Sequence, residues 1–146
     1  MNQRLVASLL FGASAAVNGL VVWLVAGGGE LWSLAVSLYV ALTVGLALLA
    51  APRLAADARR RPSRWRGFWS GALLTFTSIA AAHVATTSLM FLEGPGGVLS
   101  AVSGALLTAV TTLIVVLMTG SPLLIVGGTA GLAFYDAVRS GPQGAV

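Results

Sequence analysis

His83 is the chain's single histidine, and it lies within a long apolar run that carries no cysteine, aspartate or glutamate. An ionisable side chain in such surroundings costs free energy unless water or a partner is near, which makes it the first candidate for a pocket or a polar pathway. One imidazole cannot build an ordinary metal site, and the paired axial histidines of a b-type haem are absent, so no cofactor is expected. His83 is expected either to bond a hydroxyl on a neighbouring segment or to line a substrate or quinone-type pocket.

Asn18 is the second polar group placed deep in an apolar run, one turn from Ser14. An asparagine in such a helix commonly clamps a neighbouring helix, at about 0.6 kcal/mol and sometimes about 1 to 2. Tyr39 and Thr43, one turn apart in the next run, are candidate partners for Asn18 or His83. The segment around His83 also holds Ser70, Thr75, Thr77, Ser78, Thr86, Thr87 and Ser88. Two readings follow: the hydroxyls bond carbonyls of their own preceding turn, or the segment lines a groove for water, an ion or a headgroup. In the second case His83, Asn18, Thr87, Tyr39 and Thr43 form the pathway.

The four acids, Glu30, Asp57, Glu93 and Asp136, all map to loops or segment ends. A proton- or sodium-coupled exporter of the small multidrug type requires a carboxylate inside a helix, and none is placed there. Arg139, three residues beyond Asp136, is its expected partner. With no acid to orient His83 and no cysteine in the chain, neither hydroxyl nor thiolate catalysis has its parts, and an enzyme acting alone is not expected.

Six of the eight arginines, Arg53, Arg59, Arg60, Arg61, Arg64 and Arg66, fall in one short stretch flanked by apolar runs. An arginine-rich short connection stays cytoplasmic, so the stretch orients the chain. It is also a candidate site for anionic headgroups or an acidic partner. Up to Pro62 it has the pattern of an amphipathic surface helix, with Leu54, Ala55 and Ala58 toward the lipid. The net charge of +4 is therefore assigned to membrane lipids, with no nucleic acid expected.

Five apolar segments must position these groups. Of 146 residues, 58% are hydrophobic and 8% charged, against about 25% charged in soluble domains, which excludes a soluble fold. The expected fold is an all-α integral membrane protein, one domain over 1–139. Its bundle has five transmembrane helices, at about 5–26, 31–51, 67–92, 98–119 and 123–138. A basic cytoplasmic loop spans 52–66 and a flexible tail 140–146. The alternative is four spanning helices and a re-entrant or interfacial C-terminal helix, because the fifth run is short for a core about 30 Å thick. Arg4 before an apolar run resembles a secretory signal, but the run continues to Val25 at spanning length, so the segment is expected to be retained. Five crossings put the N-terminus inside and the C-terminus outside.

Helices in lipid associate through small residues that let backbones approach. Gly12 and Gly19 in the first segment, Gly104 and Thr108 in the fourth, and the Gly127-x-x-x-Gly131 pair in the fifth are the expected packing positions. Small-residue stripes, one charged connection and the lack of a coupling constellation lead to a structural or accessory subunit of a membrane complex or homo-oligomer. The rival expectation is a small oligomeric transporter or channel with a polar pathway along the third helix.

Overall fold

The computed structural model describes residues 2–25, 29–60, 63–92, 97–119 and 122–140. Within these, the side chains of 25, 30–32, 87, 90–92, 101, 112 and 115–119 are not described. Every regular element is helical: α1 (Gln3–Val25), α2 (Glu30–Arg60), α3 (Arg64–Leu92), α4 (Gly97–Thr119) and α5 (Pro122–Ser140). Among the described residues, three helices are long and apolar enough to cross a membrane, at Gln3–Leu24, Ser33–Arg60 and Arg64–Thr86.

Local chemistry sets the helix ends. Asn2 caps α1, its Oδ1 accepting from the backbone N–H of Arg4 (3.1 Å) and Leu5 (3.4 Å). Gly29, with φ of 125°, takes a backbone conformation open to glycine just ahead of α2. Pro122 opens α5, where its missing N–H is not needed.

The basic stretch is not a loop. α2 runs through Pro52 to Arg60, and only a short break separates it from α3. Helix-favouring Ala, Leu and Arg dominate these turns, and Arg59 and Arg60 complement the dipole at the C-terminal end. Ala55 and Ala58 do not face lipid as expected. Both are buried in a cluster with Phe134, Tyr135 and Val138, and this contact with α5 holds the segment helical past the proline.

α1, α2, α3 and α5 form a four-helix ring in which each neighbour runs antiparallel. The register is set by close contacts of Gly12 with Val44 and Gly19 with Val36 between α1 and α2, and of Gly67, Gly71 and Thr75 with residues 127–135 between α3 and α5. Phe11 against Phe134, with ring centroids 6.2 Å apart, joins α1 to α5. α4 stands outside the ring and packs on α3. Its Gly104 is buried and Thr108 half-buried, while Thr111, Leu99, Leu106, Val110 and Leu113 are exposed.

The α3–α5 contact brings main chain against main chain. A Cβ on Gly71 would collide with the backbone of Gly127 and Gly131, and one on Gly131 with the backbone of Gly67 and Gly71. Gly67 and Gly71 thus form a second Gly-x-x-x-Gly pair interlocked with Gly127 and Gly131.

This register sends α5 back toward the start of α3. Leu123 lines the same cavity as Ile79 and His83, so α5 begins partway along α3 and ends beside Arg64. The path from α3 through α4 and α5 therefore makes one net return. Five alternating crossings would instead end α5 opposite the basic stretch; here Asp136 near its end meets Arg64.

Gly71→Val is expected to destabilise the fold by about 1 to 3 kcal/mol through overpacking. Gly45→Ala, where an added Cβ meets nothing within 4 Å, should be neutral or stabilising by up to about 1 kcal/mol. Thermal unfolding of the two purified variants in detergent checks both.

Candidate functional site

A cavity of about 70 Å³ lies between α1, α2, α3 and the first turn of α5. Asn18, Tyr39 and His83 line it beside Ile79, Ala82, Val22, Ala35 and Leu123, and the surface these residues turn to the cavity is apolar. Three of the five residues expected along a pathway thus meet in one place. Thr43 sits one turn deeper, its Oγ1 donating to the Tyr39 carbonyl at 2.8 Å, and the Thr87 side chain lies outside the described residues.

Asn18 is 1% exposed, and its Nδ2 donates to Tyr39 Oη (3.2 Å) and to the Leu123 carbonyl (3.0 Å). One amide thereby ties α1 to both α2 and α5. The carbonyl partner could not be found by sequence reasoning, since backbone groups are anonymous and Leu123 is 105 residues away. His83 is half-buried on the cavity wall and makes no hydrogen bond with a described residue.

Hydroxyls flank the cavity along α3, Thr77 and Ser78 on the side of the plug and Thr86 and Ser88 on the other. On α3, Thr77, Ser78, Thr86 and Ser88 donate to carbonyls four residues earlier, at 2.7 to 2.9 Å. Thr75 does not: its buried Oγ1 and that of Ser14 find no partner. Each lies one turn below a cavity position, Ser14 below Asn18 and Thr75 below Ile79. Buried orphan hydroxyls are rare and commonly mark ordered water. Deeper still, Phe11 and Phe134 are fully buried and meet across the axis, with Ala7, Ala47 and Ala51 filling the space around them. The Phe11 and Phe134 pair thus forms an aromatic plug, about two turns along α1 from the cavity at Asn18.

At the far side of the plug lies a polar latch. Asp57 Oδ2 accepts from the Tyr135 hydroxyl at 2.8 Å, and Asp57 Oδ1 lies 3.5 Å from Arg66 Nη1. Arg64 Nη2 pairs with Asp136 Oδ2 at 3.4 Å. Asp136 thus pairs across helices with Arg64, where Arg139 was expected. Both ion pairs are substantially exposed and contribute about 0 to 1 kcal/mol each. The half-buried Tyr135 to Asp57 bond is the stronger element, of the order of 1.5 to 3 kcal/mol for a bond to a charged group. Arg53, Arg59 and Arg60 are exposed and form no ion pair among the described residues, and Arg61 lies outside them. No group of three metal-ligating side chains exists among the described residues.

Of the expected packing positions, Gly12 and Gly19 face α2 across Val44 and Val36, Gly104 is buried on α4, and Gly127 and Gly131 face α3. Sequence reasoning missed Gly67 and Gly71, although their four-residue spacing matches that of Gly127 and Gly131. Compared with known proteins, the chain matches no family model, no curated protein and no solved structure.

Asn18→Ala is expected to cost about 1 kcal/mol. The double variant with Tyr39→Phe should cost less than the sum of the two, because the residues share a bond. Thermal unfolding of the four forms in detergent closes that cycle.

Proposed function

We propose that the chain is an integral membrane protein built on a four-helix ring, acting as a structural or accessory subunit of a membrane complex or homo-oligomer. The observation that carries this reading is the filled interior: Phe11 and Phe134 meet in the middle of the ring with no exposed surface, and the two ring carboxylates among the described residues, Asp57 and Asp136, are both engaged in the latch. A role exercised through the interior would need a continuous polar path; a role exercised through the outer surface needs only a rigid body.

The outer surface supports the membrane setting. Leu5, Leu9, Leu20, Leu24, Leu49, Leu73 and Leu99 are all more than half exposed, an apolar coat untenable in water. α1, α2 and α3 each span the bilayer, and α4 with α5 completes one return. The amino end, the basic stretch and the carboxyl end then share one side, which by its arginines is the cytoplasm.

The second reading, a small oligomeric transporter, draws on the cavity and on the unpartnered Ser14 and Thr75 along its axis. It requires the Phe11 and Phe134 plug to move.

Two measurements test these proposals. The natural chain lacks cysteine, so Ser63→Cys and Ser140→Cys are expected to react with an impermeant maleimide from the same side of the membrane, and Ser33→Cys from the other. Labelling of Ser140→Cys opposite to Ser63→Cys would refute the topology. Purified protein is expected to run as a homo-oligomer or with a membrane partner, and to support no ion or solute flux when reconstituted alone. Flux that disappears in a folded His83→Ala variant would replace the subunit reading with the transporter.

A further inference from the structure

The antiparallel α5 has an electrostatic consequence: it brings Arg139 to the end of the ring that already holds the other arginines. Arg4 starts α1, Arg53, Arg59 and Arg60 end α2, Arg64 and Arg66 start α3, and Arg139 ends α5. At this end, seven described guanidinium groups face only two described carboxylates, Asp57 and Asp136, leaving a surplus of five positive charges.

The arginines are not equivalent. Arg64 and Arg66 pair with Asp136 and Asp57 and so serve the latch. Arg53 and Arg60 lie two turns apart on the side of α2 opposite buried Ala51, Ala55 and Ala58, and Arg59 projects roughly a quarter-turn round the helix from Arg60. All three are exposed and pair with no described acid. On the neighbouring start of α3, Trp65 and Trp69 stack with centroids 6.4 Å apart and stay more than 60% exposed. Indoles of this kind favour the headgroup boundary of a bilayer. The latch pairs Asp57 of α2 with Arg66 of α3, which sets the arginine face and the indole pair at one depth.

We propose that Arg53, Arg59 and Arg60 form a binding surface for anionic phospholipid headgroups in the leaflet at this end of the ring, while Arg64 and Arg66 belong to the fold. The inference rests on the membrane reading above. Three unpaired cations attract a phosphate-bearing lipid surface at about 1 kcal/mol each. Because the attraction is that of charge, lysine replaces arginine here without loss.

The test uses the full chain in mixed micelles of phosphatidylglycerol and phosphatidylcholine, with retained lipids counted by native mass spectrometry. The wild-type protein is expected to retain phosphatidylglycerol preferentially, and the preference to fall between 0.05 and about 0.5 M salt as screening shortens. The R53Q/R59Q/R60Q variant should lose at least about fivefold of that preference, the equivalent of roughly 1 kcal/mol. R53K/R59K/R60K should keep it, and R64Q/R66Q should lower the melting temperature with the preference intact. Equal preference in the glutamine variant overturns the proposal, as does a wild-type protein indifferent to headgroup charge or to salt. If the triple glutamine variant does not fold, the single variants R53Q, R59Q and R60Q decide the matter: each is expected to weaken the preference, and all three leaving it unchanged overturns the proposal. Release of the wild-type chain by alkaline carbonate would defeat the membrane reading itself, whereas retention without headgroup preference defeats only this inference.

Discussion

The contact between the backbones of Gly67 and Gly71 on α3 and those of Gly127 and Gly131 on α5 is the constraint on which the remaining architecture depends. With no side chain on either surface, the two helices approach until main chain meets main chain, and dispersion between many atoms accumulates over a short crossing. Nothing larger than hydrogen fits at Gly71 or Gly131. The depth of α5 follows from that fit: Leu123 stops at the level of His83, and Asp136 arrives beside Arg64.

Each polar feature of the interior can be traced to where α5 stops. Because α5 begins partway along α3, its first turn closes a chamber walled by α1, α2 and α3, and the Leu123 carbonyl becomes available to the Asn18 amide. Farther down, α5 contributes Phe134 to the plug and Tyr135 to the latch. The ring thus holds a small apolar-lined cavity above the plug, is filled by alanine and phenylalanine across it, and is charged beneath it, with the unpartnered hydroxyls of Ser14 and Thr75 between cavity and plug.

The same return path reorganises the surface charge. An odd number of crossings would strand Arg139 on the side away from the other arginines; the structure gathers the described arginines at one end. Two of them neutralise the local carboxylates, and the rest face outward. Charge that looked like a single orientation signal therefore divides into a structural share and a share left free for the surroundings.

Much was legible in the chain alone. Hydropathy placed five apolar helical segments along the chain, because each depends on the composition of a contiguous window, although the second was ended at Pro52 and the helix continues to Arg60. Asn18 and His83 stood out because a polar side chain in an apolar run is conspicuous wherever it lands, and Tyr39 and Thr43 were named as candidate partners for either of them; only the fold selects Tyr39 for Asn18. What the chain could not disclose was the pairing of elements distant in sequence: that α5 lies antiparallel to α3, that α2 stays helical through Pro52, and that Asp136 reaches Arg64 and passes over Arg139. Those outcomes turn on surfaces that meet only after folding. A glycine pair at a four-residue spacing marks a smooth face, and only the shape of the facing helix decides whether, where and in which direction that face is used.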